Sequence, residues 1–137
     1  MKIVQKKPFS VPVIADCQNK EHLDVAQEFI GKENWIQFIV LNNDEEFLLC
    51  LDENALTKDL DFNFYIKTSN PIMPIQKVCG TAIFIRIDTD ISSDAEVDYK
   101  VKNLKKDDLY FIKQLLSAST QNELEEEYKQ TPFSDFI

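Results

Sequence analysis

Glycine is nearly missing. Gly31 and Gly80 are the two in 137 residues, where an average chain of this length carries about ten. Phosphate-cradling loops need several glycines close together, so that backbone N–H groups can approach the anion. Neither the dinucleotide fingerprint nor the P-loop can be written with two glycines so far apart. Histidine occurs once, as His22. That excludes a site with two or three histidine ligands, and a Ser-His or Cys-His pair would have to use this residue. His22 reads as a solvated residue on the polar side of a short helix, and no GxSxG elbow accompanies it. Arginine also occurs once: Arg86 is one of 15 basic residues, and the rest are lysines. Guanidinium forks are the usual tools for phosphates and guanines. With a net charge of −9, nucleic acid and anionic membrane are not expected partners.

Cysteine is scarce and scattered. Cys17, Cys50 and Cys79 are odd in number and form no CxxC pair, which rules against a disulfide scaffold and a zinc ribbon. Cys50 lies in FLLCL and reads as a small core hydrophobe. Such usage suits a reducing, cytoplasmic location. No apolar run approaches the roughly 20 residues that span a bilayer, and the N-terminus lacks an apolar stretch of signal-peptide length.

What is present is ordinary globular material, 44% hydrophobic and 28% charged. It reads as a single domain over residues 1–137. Residues 2–14 read as one extended segment, kept to an edge by Pro8 and Pro12. Residues 19–30 read as a helix capped by Asn19 and stopped by Gly31. WIQFIVL (35–41) and FLLCL (47–51), joined by NNDE, form the clearest hairpin. Both of its faces are apolar, which places it inside the sheet with Phe38, Val40, Phe47 and Leu49 buried. DFNFYIK (61–67) alternates, with Phe62, Phe64 and Ile66 on one side. SNPIMPIQ reads as irregular because of Pro71 and Pro74. TAIFIRID (81–88) and EVDYKVK (96–102) are strands, the latter with Val97, Tyr99 and Val101 inward. Residues 104–118 are helical. A second helix at 121–129 starts from a Thr120–Glu123 capping box and buries Leu124 and Tyr128. The expected class is α+β: an antiparallel sheet of about five strands, with one N-terminal and two C-terminal helices packed on it.

Four features bear on chemistry. Asp88, Asp90, Asp94 and Glu96 crowd one turn and could draw Mg²⁺ or Ca²⁺. Ser93 stands where a tight calcium loop needs glycine, however, and strands rather than helices flank it, so no metal site is expected. Asp88 with Asp98-Tyr99-Lys100 resembles the D…[DE]xK pattern of restriction-endonuclease-like nucleases, in which paired carboxylates hold a metal and the lysine orients water. The resemblance would imply a metal-dependent phosphodiesterase using Asp88, Asp90, Asp98 and Lys100. The triplet occurs twice, also as Glu127-Tyr128-Lys129, which is the number expected by chance. Acidic runs at 44–46, 52–53 and 123–127 read as solvated faces that would suit a basic partner. Last, Phe133, Phe136 and Ile137 place apolar residues in the tail, where they dock on the protein itself or fill a groove on another chain.

No catalytic residue and no cofactor is expected. The expected function is a non-enzymatic acidic protein-binding module: an inhibitor, an immunity-type protein or a dedicated chaperone. Phe133, Phe136, Ile137, Glu123, Glu126 and Glu127 would meet another protein with a basic surface, or a second copy in a homodimer. In size, acidity and a helix followed by strands the chain resembles type III secretion chaperones, but Pro71 and Pro74 fall where that family's central helix would lie. The alternatives are the phosphodiesterase and a small apolar-ligand carrier. The carrier requires a cavity lined by residues such as Phe38, Phe64 and Phe84. Apolar surface is expected to stay uncovered on one sheet face.

Overall fold

The computed structural model describes residues 1–89 and 99–131. The sequence's β-branched and aromatic runs give eight strands: β1 (Lys2–Lys6), β2 (Val13–Asp16), β3 (Ile36–Leu41), β4 (Asp44–Asp52), β5 (Phe62–Lys67), β6 (Ile75–Cys79), β7 (Ala82–Asp88) and β8 (Lys100–Lys102). Its three amphipathic stretches give α1 (His22–Ile30), α2 (Lys106–Leu115) and α3 (Ala118–Lys129). The class is α+β, with the one early and two late helices that the sequence indicates. No helix among the described residues is long and apolar enough to cross a membrane.

The main sheet is antiparallel and runs β2-β1-β7-β4-β3, with β8 also on β7; β5 and β6 form a separate hairpin. The central strand is β7, AIFIRID, whose residues from Ala82 to Ile87 are all buried. It is apolar on both faces because both are covered. On one face Ile83, Ile85 and Cys50 pack with Val25 and Ala26 of α1. On the other, Phe84, Leu49 and Phe47 pack with Phe64 of the β5–β6 hairpin, Ile112 of α2 and Leu124 of α3. Phe64 stacks on Phe84 with centroids 6.0 Å apart.

Several boundaries differ from the sequence reading, each for a local reason. Residues 2–14 are not one strand. They fold back after Lys6 through a turn at Pro8–Ser10, so that β1 pairs with β2. Helix α1 starts at His22 rather than Asn19. The first helical amide, His22 N–H, donates to the Tyr99 carbonyl at 2.8 Å, so the cap comes from the strand side and not from Asn19. The Asn19 backbone and side chain donate instead to the Glu28 carboxylate. Gly31 does end α1, at φ +130, and a Cβ there would come within 2.5 Å of Asn34 Nδ2.

The β3–β4 turn is shorter than NNDE. Asn42 and Asn43 both have φ +54, the signature of a type I′ turn whose twist matches the flanking strands. Asp44 and Glu45 belong to β4, which carries a register shift opposite Val40 and Leu41. Of this hairpin's two strands, only β4 is interior. Because β3 is an edge strand, Phe38 is half-buried and Val40 is 50% exposed, while Phe47 and Leu49 are buried as expected. Strand β6 falls inside what reads as an irregular segment: Pro71 and Pro74 precede it, and IQKVC is free to pair. Phe64 and Ile66 are buried, whereas Phe62 is partly exposed beside a register shift in β5. Helix α3 begins earlier than the Thr120–Glu123 box suggests. Ser117 is its cap, accepting the Thr120 N–H at 3.3 Å. Residues 96–98 of the expected last strand lie outside the described residues; Val101 is buried and Tyr99 is partly exposed.

Phe84→Ala should cost about 3–5 kcal/mol, the usual loss for a fully buried phenylalanine. Val40→Ala, on the exposed edge, should stay within about 0.5 kcal/mol. Denaturant titration of the two variants separates them.

Candidate functional site

Of the four residues of the phosphodiesterase alternative, Asp88 and Lys100 are among the described residues. Asp88 ends β7 directly opposite Lys100 of β8, an ordinary cross-strand charge pairing. Asp90, Asp94, Glu96 and Asp98 lie outside the described residues, as do Phe133, Phe136 and Ile137. No group of three or more His, Cys, Asp or Glu side chains among the described residues could hold a metal ion. Glu123, Glu126 and Glu127 are all exposed on α3, opposite to its buried Leu124 and Tyr128. Phe38, Phe64 and Phe84 line no common cavity. The last two stack in one core cluster, whereas Phe38 packs in the cluster on the other sheet face, 5.0 Å from the His22 ring. His22 is half-buried rather than solvated, and its Nδ1 accepts the Tyr99 N–H at 3.1 Å.

Arg86 is 2% exposed. Its Nε donates to Asp108 Oδ2 at 2.7 Å and its Nη2 to Asp108 Oδ1 at 2.6 Å, a two-pronged pair joining β7 to the first turn of α2. The same Nη2 donates to Asp44 of β4 at 2.8 Å. Asp108 also accepts the Lys105 N–H at 2.7 Å and so closes the start of α2. Next to it, Glu46 accepts from the Thr89 N–H and hydroxyl and from Lys102. Those bonds hold its carboxyl at about 2, well below the ordinary glutamate range. The Arg86 bond likewise holds Asp44 low. The single guanidinium is thus engaged by the protein's own carboxylates and is closed to a phosphate.

An open apolar surface lies at the β2 edge. Ile3 and Val4 of β1 are buried on opposite faces of the sheet. Ile14 sits opposite Val4, on the α2 side, yet it is 61% exposed. A groove of about 370 Å³ runs between the two elements, lined by Val4, Pro12, Val13 and Ile14 on one side and by Leu109, Ile112, Lys113 and Leu116 on the other. Helix α2 covers Val4 and stops short of β2. That explains why Leu109, on the apolar stripe of the helix, is partly exposed while Ile112 and Leu115 are buried. Beside the groove the β1–β2 turn presents Phe9, 87% exposed, and Val11, 75% exposed. Phe9 has φ +62, a left-handed conformation that a bulky side chain rarely adopts. This stretch of uncovered apolar surface lies at the sheet's edge, since α1 covers the face where it was expected; Trp35 and Ile72 are exposed singly elsewhere. The apolar residues of VPVIAD are the sequence signal for it, and Pro12 marks it as edge chain. No family model, curated protein or solved structure matches the chain.

Arg86→Met should destabilise the protein by about 3–5 kcal/mol, because it strands the buried Asp108 charge. Adding Asp108→Leu should recover much of that loss, and a double-mutant cycle by chemical denaturation reads the coupling. Glu46 supplies a second expectation. Its folded pKa lies below its unfolded one, so its contribution is complete above the ordinary glutamate range and is lost as pH falls toward about 2. Glu46→Gln should flatten the acid limb of a stability–pH curve in that window and leave the neutral limb parallel to wild type.

Proposed function

We propose that this protein is a non-enzymatic binding module that acts by association with another protein. The observation that carries the reading is the β2 edge: exposed Phe9, Val11, Val13 and Ile14 beside an apolar groove. Monomeric proteins seldom leave contiguous apolar surface of this kind uncovered, and where they do it usually marks an interface. An open edge strand adds a row of backbone donors and acceptors that an incoming chain can satisfy.

The charge supports the choice of partner. With a net charge of −9 and exposed Glu123, Glu126 and Glu127 along α3, the surface favours a partner with basic residues around an apolar centre. Long-range attraction would speed the encounter, and the apolar contact would supply most of the affinity. An inhibitor, an immunity-type protein or a dedicated chaperone all fit this description. The three free, buried cysteines are consistent with work in a reducing compartment.

Affinity capture from the native host tests the reading. The wild-type chain should retain a basic protein, and retention should weaken as salt rises, because exposed charges are screened. Glu123→Lys combined with Glu126→Lys and Glu127→Lys should weaken it further, and Ile14→Glu should abolish it while the circular dichroism spectrum stays the same. An identical retained set for wild type and both variants would overturn the proposal.

A further inference from the structure

We propose that the β2 edge seats a second copy of this chain, with two β2 strands pairing antiparallel about Ile14 to join the sheets of both copies. The inference rests on reading this edge as an association surface, and it names a second copy as the occupant when the basic partner is absent.

The hydrogen-bond phase of β2 is the first support. Cys17 N–H donates to the Met1 carbonyl at 3.1 Å, on the same register that pairs Ile3 with Ala15 and Gln5 with Val13. Bonded and non-bonded pairs alternate in an antiparallel ladder. Residues 13, 15 and 17 therefore bond toward β1, and Ile14 and Asp16 turn their N–H and C=O groups to the outer side. Among the described residues, no strand pairs with β2 on that side. The far edge of the sheet is different. There Gln37 of β3 exchanges two amide bonds with Gln76 of β6, at 3.1 and 2.8 Å, which ties that edge to the second hairpin.

The register follows from the side chains. A two-fold axis perpendicular to the sheet keeps like faces together, so paired residues must share a face. Two registers meet this condition across the strand's centre. One places Ile14 against Ile14 of the second copy. The other places Ile14 directly against Asp16 and so sets two carboxylates against the central apolar side chains. Hydrophobic pattern selects the first. It gives a pair of N–H···O=C bonds between the two Ile14 residues and closes the two grooves against each other. It also leaves Asp16 of each copy, paired with Lys2 of its own chain at 2.8 Å, at the end of the groove beside Pro12 of the other. Lys113 is the charged residue lining the groove, and it has no ion pair among the described residues.

The exposed apolar side chains supply most of the area of a standard interface. Exposed Phe9, Val11, Val13, Ile14, Leu109 and Tyr110 offer on the order of 600 Å², taking 150–250 Å² for a whole aromatic side chain. A standard interface buries about 800 Å² per partner, and the paired backbones add to the side-chain area. Its protection against pairing is confined to its ends, Pro12 at one and the charged Asp16 at the other, and leaves Ile14 open between them.

Sedimentation equilibrium of the full chain at micromolar concentration tests the proposal. The wild type should show twice the chain mass. Ile14→Glu, which sets like charges opposite each other across the axis, should show the single mass with an unchanged circular dichroism spectrum. Ile14→Cys should form a disulfide-linked dimer on mild oxidation, since directly opposed residues lie within disulfide range and the native cysteines are buried; Ala15→Cys should not. A wild type of single-chain mass, or a dimer that survives Ile14→Glu, overturns the proposal. If the wild type is a monomer and Ile14→Glu still abolishes partner capture, the second copy is excluded and the association surface stands. If Ile14→Glu changes neither mass nor capture, both fail.

Discussion

The structure is organised around one buried cation. Arg86 lies at the end of the central strand and reaches Asp108 of α2 and Asp44 of β4 at hydrogen-bonding distance. Helices lie on a sheet through side chains that tolerate some sliding, whereas a two-pronged guanidinium–carboxylate pair does not. This pair therefore sets where α2 begins on the sheet. From that start, Ile112 and Leu115 fall into the core and Phe111 meets Phe47 edge-on at 5.5 Å. The groove exists because α2, pinned over β7 and β1, leaves β2 beyond its reach. Desolvating the ions offsets much of the pair's attraction, so its value lies in placement more than in net stability.

Much of the fold is legible in the sequence. The alternation in DFNFYIK, the apolar run AIFIRID and the periodicity of the two late helices each reported the correct element type. What failed involved partners distant in the chain. Asn19 resembles a cap by local chemistry, but Tyr99 supplies the acceptor for the first amide of α1. WIQFIVL looks central because it is apolar on both faces, yet β3 sits at the edge and shares its outer side with the β5–β6 hairpin. The proline-rich stretch hid β6 because prolines forbid a strand only where they stand.

The candidate site was harder to read. Acidic side chains draw attention in a chain so rich in them, and Asp88 and Lys100 do meet across a ladder. The apolar edge came from VPVIAD, a segment whose single proline marks it as edge chain but does not show what covers it. Its exposure depends on the position of α2, which is set by Arg86 and Asp108, residues far from it in sequence. A single arginine could be counted at the start, but its burial could not.

The strand order bears on how the chain comes together during synthesis. Hairpins β1–β2 and β3–β4 arise early, but no backbone bond joins them directly, because β7 lies between β1 and β4. Until β7 emerges, each early hairpin carries a free apolar edge that will later be internal. Two-stranded hairpins are marginal alone in water, and unpaired edges in incomplete chains invite wrong partners. The N-terminal half of this protein is therefore a set of loose pieces until Ala82–Asp88 arrives to join them, and a chain halted before that point should be a far better substrate for aggregation or proteolysis than the finished molecule.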